Sequence, residues 1–143
     1  MNETIHAGAV ALGETGVLIR GAPGAGKSSL AAALLSLWQS HGRFARLVAD
    51  DRVILSAHHG RLIARPHPSL AGLHEVRGAG IEPCPNLAAV RLGVVVDLVP
   101  NPVRLPDPGT VPLCGVALRH VHMNERNTFV SAGGLWTALT AKV

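Results

Sequence analysis

The run Gly21-Ala22-Pro23-Gly24-Ala25-Gly26-Lys27-Ser28 constrains this chain more than any other feature, because it spells a complete P-loop directly after the apolar stretch Val17-Leu18-Ile19. Gly21 and Gly26 can take backbone angles closed to residues with a Cβ, so consecutive N–H groups can turn inward around phosphate oxygens where a helix begins. Lys27 would neutralise the β/γ-phosphates and the Ser28 hydroxyl would bind Mg²⁺. Ser29 follows as the last residue of the expected cradle. The helix that must come next is legible: Leu30, Leu34, Leu37 and Trp38 recur at helical spacing, with Gly42 as a stop signal. A phosphorylated nucleotide is the ligand to expect. The fold class is α/β, with a central mixed sheet and flanking helices.

At 143 residues the chain fits one domain, 1–143, long enough to bury roughly two-thirds of its unfolded surface. Hydrophobic content of 48% argues against disorder, and no apolar run approaches the ~20 residues that span a bilayer. Met1-Asn2-Glu3-Thr4 carries neither the basic patch nor the apolar segment of a secretion signal, so a cytoplasmic protein without a membrane partner is expected. Cys84 and Cys114 are too isolated for a zinc site or a disulfide framework. The surplus of 13 Lys and Arg over 9 Asp and Glu is modest and scattered, and four aromatic residues offer no stacking platform, so nucleic acid is not an expected partner.

Along the chain, residues 5–12 read as a strand, Gly13-Glu14-Thr15-Gly16 as a tight turn and residues 17–20 as a second strand feeding the loop. A helix over 28–40 precedes a strand over 44–49, which ends abruptly at Asp50-Asp51. Residues 53–57 and 62–64 flank His58-His59-Gly60 as a hairpin. Pro66, Pro68, Pro83 and Pro85 punctuate the middle, and Val94-Val95-Val96 sits in a run continuous enough for a buried strand. The Pro-rich segment from Asn101 to Pro112 reads as an extended surface loop. A last strand over 116–121 and a closing helix over 127–141, weakened by Gly133-Gly134, complete the expectation.

Phosphoryl transfer needs metal ligation and a group that orients or deprotonates the nucleophile. Two places compete for that work: Asp50-Asp51 after Leu47-Val48-Ala49, and Asp97 after Val94-Val95-Val96. Strand pattern by itself favours Asp97 slightly. The doublet offers what Asp97 cannot, because adjacent carboxylates near one Mg²⁺ can divide into a metal ligand and a base.

Ile5-His6-Ala7, the P-loop, Leu47-Val48-Ala49-Asp50-Asp51-Arg52 and Glu75-Val76-Arg77-Gly78-Ala79-Gly80-Ile81 occur in an order and spacing that resembles HPr kinase/phosphorylase over about residues 4 to 99. The resemblance implies an ATP- and Mg²⁺-dependent enzyme that phosphorylates a serine of an HPr-like phosphocarrier protein, with possible reverse phosphorolysis, usually assembled as a hexamer. It implies Asp50 as general base, His6 beside it, and Lys27 on the transferring phosphoryl group. Asp51 and Glu75 would assist the metal site together with Ser28, and Arg77 and Gly78 would approach the partner serine. Asp97 becomes a strand-end residue. The chain is similar to short, catalytic-domain-only forms; Ser29 stands where longer members commonly have Glu, and Arg104 is the nearest match to a basic residue beside the transferred phosphate. A nucleotide-sensing module without transferase activity, or a P-loop small-molecule kinase, are the alternatives.

His58-His59 and His120-x-His122 each place two imidazoles together, since alternate residues of a strand share a face. Two ligands do not make a metal site. A polar hairpin tip and an exposed strand edge are the expected settings for these pairs.

Overall fold

The computed structural model describes residues 2–68, 73–76, 80–83, 86–100, 109–125 and 127–140, with the backbone alone for 73–76 and 80–83. Along the chain run β1 (Asn2–His6), β2 (Gly8–Leu12), β3 (Thr15–Gly21), α1 (Lys27–Ser40), β4 (Ala45–Ala49), β5 (Arg52–His58) and β6 (Arg61–Pro66). These are followed by β7 (Leu73–Val76), β8 (Gly80–Pro83), β9 (Val90–Val99), β10 (Gly109–Leu113), β11 (Val116–Asn124) and α2 (Thr128–Thr140). Nine of the strands form one sheet in the order β1-β5-β6-β9-β3-β2-β4, with β11 also on β9 and β10 outside it; β7 and β8 pair separately.

The Val94-Val95-Val96 run explains why β9 is central. A strand covered on both faces needs apolar residues in succession rather than in alternation. Val94, Val96 and Leu98 join a core with Val17, Ile19 and Leu34, while Leu92 and Val95 join a second core with Leu18, Val53 and Leu55. β9 runs parallel to β3 and β11 and antiparallel to β6, which makes the sheet mixed as expected.

Both helices cover the first of these cores. α1 contributes Leu30, Ala31, Leu34 and Trp38, and α2 contributes Ala132 and Leu135. Complete burial of Leu34 alone is worth about 1.5–3 kcal/mol of transfer free energy. The Trp38 and Trp136 rings meet edge to face at 4.9 Å. The glycines expected to weaken α2 have a packing use at one position: a Cβ on Gly134 would sit 3.3 Å from the Met123 terminal methyl. Gly42, at φ 71°, ends α1 as expected, and the N–H groups of His41 and Arg43 return to the Trp38 carbonyl.

Two expectations change, and one element appears where none was expected. The strand over 5–12 is two strands, because the chain changes neighbours at Ala7: β1 pairs with β5, whereas β2 lies between β3 and β4. Ala7 is completely buried there, and its N–H donates to the Asp51 carbonyl at 3.0 Å. The Pro-rich segment is not all loop, since Gly109–Leu113 forms β10 and pairs with β11, Pro112 lying opposite Ala117; residues 101–108 lie outside the described ones. The stretch around Glu75 contains a hairpin, β7–β8, that its Pro and Gly residues concealed. The hairpin at His58-His59-Gly60 forms as read, with His59 and Gly60 both at positive φ, 51° and 76°, as a tight two-residue connection demands.

Candidate functional site

β3 delivers Gly21 to the start of the loop, where a side chain would be crowded. A Cβ would fall 3.1 Å from the Ala25 side chain and 3.2 Å from that of Leu98. Gly24 and Gly26 then adopt φ of 80° and 103°, and the Ala25 N–H closes a turn on the Ala22 carbonyl at 3.0 Å. Ala22, Pro23 and Gly24 are exposed while Ala25 is buried, so the loop is pinned at its base and open at its crest. Lys27 begins α1 and folds back along the loop, its Nζ donating to the carbonyls of Gly21 at 2.8 Å and Ala22 at 3.3 Å. Ser29, one position into the helix from Ser28, is exposed.

Across from this loop β4 ends at Ala49, and the next residue meets the helix. The Ser28 hydroxyl donates to Asp50 Oδ1 at 2.8 Å, joining positions 22 residues apart. Asp51 adopts φ 80°, a left-handed geometry that Asp tolerates better than most residues. This turn lets its carbonyl receive the Ala7 N–H, and it sends the chain into β5, whose first residue Arg52 stands in register with His6. Lys27, Ser28 and Asp50 therefore lie at one end of the sheet, with His6 and Asp51 attached to that same turn by backbone pairing. Glu75 lies on β7, where only the backbone is described, and Arg77, Gly78 and Arg104 are outside the described residues.

Asp97 is not the strand-end residue expected of it. It lies two residues before the end of β9, and Arg20 grips it with Nε to Oδ1 at 2.8 Å and Nη2 to Oδ2 at 2.7 Å. His120 Nε2 lies 2.5 Å from Oδ2. Burial by itself would raise the Asp97 pKa, but the hydrogen bonds and charges of Arg20 and His120 prevail and hold the carboxyl below its ordinary range. The same hydrogen bond raises the Arg20 guanidinium against the opposing effect of burial. No local sequence signal marks Arg20, because its partner is 77 residues away, although strand periodicity puts Arg20 and Asp97 on one face once β3 and β9 are paired.

Of the two histidines expected at an exposed strand edge, His122 is exposed as expected and His120 is not. β11 is flanked by β9 along this stretch and by β10 up to His120, leaving His120 partly buried and His122 exposed.

A mixed sheet with two helices on one face and a glycine-bent loop between β3 and α1 defines an α/β protein of the strand–loop–helix kind. Residues 1–87 match the family described as HPr Serine kinase C-terminal domain, and the chain belongs to that family. It is 41% identical over 76 residues to the HPr kinase/phosphorylase of Mycoplasma mycoides subsp. mycoides SC, covering 53% of this chain and 22% of that protein. It is 36% identical over 102 residues to the HPr kinase/phosphorylase of Lactobacillus acidophilus, covering 68% of this chain and 30% of that protein. The solved structure of the Hpr(Ser) kinase/phosphatase from Coxiella burnetii superposes with a TM-score of 0.75 at 26% identity, over 96% of both chains. The matched regions thus span less than a third of the curated relatives but nearly all of that solved chain. Among the described residues no helix is long and apolar enough to cross a membrane.

Proposed function

We propose that this chain is an ATP-dependent serine kinase acting on an HPr-like phosphocarrier protein, with residues 1–143 working as one catalytic unit. The observation that carries the reading is the 2.8 Å bond between Ser28 and Asp50, which sets a carboxylate against the first turn of the helix that follows the glycine-bent loop. Kinship with proteins named HPr kinase/phosphorylase supports the choice of acceptor.

In this reading the N–H groups from Gly21 to Ser29 hold the ATP phosphates, and Lys27 exchanges its two loop carbonyls for β/γ-phosphate oxygens. The residues fit a hard cation: a hydroxyl and two neighbouring carboxylates, from Ser28, Asp50 and Asp51, offer only oxygen donors. Bound Mg²⁺ would supply charge neutralisation on the phosphates. Ser28, Asp51 and Glu75 would hold it, leaving Asp50 to take the proton from the seryl hydroxyl as its oxygen bonds to the γ-phosphorus and the bond to the ADP leaving oxygen breaks. His6 orients that carboxylate from the end of β1. Arg77 and Gly78 meet the partner serine. In phosphorolysis an oxygen of inorganic phosphate would bond to the phosphoserine phosphorus, pyrophosphate would form, and Asp50 would return a proton to the departing seryl oxygen. Hexameric assembly and a cytoplasmic setting belong to the same reading.

Incubation with γ-labelled ATP, Mg²⁺ and purified HPr-like protein tests it, with label expected on serine. Normal nucleotide binding without labelled serine would leave a sensing module in place of a kinase.

A further inference from the structure

Beyond the loop site, three side chains from two neighbouring strands converge on the opposite face of the sheet from the helices. We propose that Asp97, His120 and His122 form a binding site for a divalent transition-metal ion of the zinc class, independent of the nucleotide loop and of the activity proposed above.

The convergence follows from register. His120 and His122 are two residues apart on β11 and share a face, while the parallel ladder sets His122 opposite Asp97 of β9. One ligand atom from each of the three lies within 4.8 Å of the others, and the imidazole rings stand 4.3 Å apart. Ligands about 2.0–2.2 Å from a tetrahedral zinc are themselves separated by about 3.3–3.5 Å. The 2.5 Å contact of His120 with Oδ2 must therefore widen by about 1 Å, and a separation as long as 4.8 Å must shorten by about 1.5 Å. Side-chain rotation suffices for shifts of this size, since the backbone ladder already sets the spacing.

The surroundings suit a ligand set rather than a plain ion pair. Arg20 bonds both oxygens of Asp97 and fixes the carboxylate plane, and a carboxylate has lone pairs to spare for a metal on its remaining directions. The side chains of Asp97 and His120 are only 20% and 18% exposed, whereas His122 faces solvent, so the third ligand lies at the entry path and a fourth position can be taken by water. Two imidazoles with one carboxylate select zinc, cobalt or nickel over Mg²⁺, which separates this site chemically from the all-oxygen donors at Ser28 and Asp50. The Arg20 charge opposes the cation and lowers the affinity relative to the same ligands without it.

Cobalt(II) titrated into the untagged full chain, without nucleotide or Mg²⁺, provides the test through its visible absorption. One equivalent is expected to develop bands of a low-coordinate nitrogen and oxygen site, and Zn²⁺ is expected to abolish them. His122→Ala, at an exposed position that leaves the Arg20–Asp97 pair in place, should weaken binding at least tenfold, while His58→Ala on the distant hairpin should leave it unchanged. Absence of saturable bands, equal affinity in His122→Ala, or equal loss in His58→Ala would overturn the site. Circular dichroism of each variant verifies that the fold persists.

Discussion

Asp50 and Asp97 both come after a buried apolar run, and the fold treats them differently. Asp50 stands one residue past β4, half-buried, accepting a hydroxyl hydrogen from the first turn of α1. Asp97 is embedded in β9 between two parallel neighbours, with a guanidinium on both of its oxygens and an imidazole on one. A proton acceptor needs an approach path and an acidity near that of its task. Asp97 is held below the ordinary carboxylate range by partners already in place, which makes it a poor base and a good structural or ligating anion. The comparison teaches that the apolar run before an acid locates a strand, while the residues opposite that acid on neighbouring strands decide its chemistry.

The sharpest way to break the contrast is to neutralise each acid in turn. Asp50→Asn should lower phosphoryl transfer to the HPr-like acceptor by at least ~10²-fold with ATP affinity nearly intact, because the proton acceptor is gone. Asp97→Asn should do far less. Steady-state kinetics with nucleotide-binding titrations read both, and the reverse ranking would move the reaction to β9.

The next effect in size is on stability. Asp97→Ala leaves the partly buried Arg20 without its carboxylate, so unfolding free energy should fall by about 1–3 kcal/mol. Urea denaturation measures this. A loss no larger than that of a surface substitution would mean that solvent replaces the pair without cost, and Asp97 would then be no more anchored than Asp50.

Much of this was legible in the chain itself, and what was not has a common cause. The loop, the apolar stripe of α1, the Gly42 stop and the hairpin at His59-Gly60 are set by neighbours within a few residues, where periodicity and turn chemistry act. The break at Ala7 was hidden because residues 5–12 are strand-like throughout; the long-range pairings on either side of Ala7 and its bond to the Asp51 carbonyl show where the chain changes partners. Likewise, His120-x-His122 displayed two ligand-type residues, but the third, Asp97, arrives through a ladder that joins strands 23 residues apart. Ser28 and Asp50 were both singled out by sequence, and their contact required β4 to lie beside the helix.

Acidity sharpens the comparison further, at the cost of a smaller signal. The folded-state pKa of Asp97 is depressed, so its contribution to stability is fully present above the unfolded value of about 3.9 and is lost as pH falls through the lower, folded one. Stability of the parent chain should therefore drop on acidification below about pH 4 partly through this group, and Asp97→Asn should drop less steeply across that window. Parallel slopes for the two proteins in denaturation at stepped pH would show that Arg20 and His120 do not hold the carboxylate in the folded state.

The smallest effect belongs to the other acid. Ser28→Ala removes the hydrogen bond to Asp50, yet this contact is exposed, and water can take over the carboxylate oxygen at little cost. The expected loss in urea denaturation is about 1 kcal/mol or less, against the larger loss for Asp97→Ala. That inequality is what a working site requires, because a hydroxyl and carboxylate that must open to admit a metal and an incoming alcohol cannot also be a staple of the fold. A loss of several kcal/mol for Ser28→Ala would make the bond structural, and the carboxylate facing the loop would then be as fixed as the one clamped by Arg20.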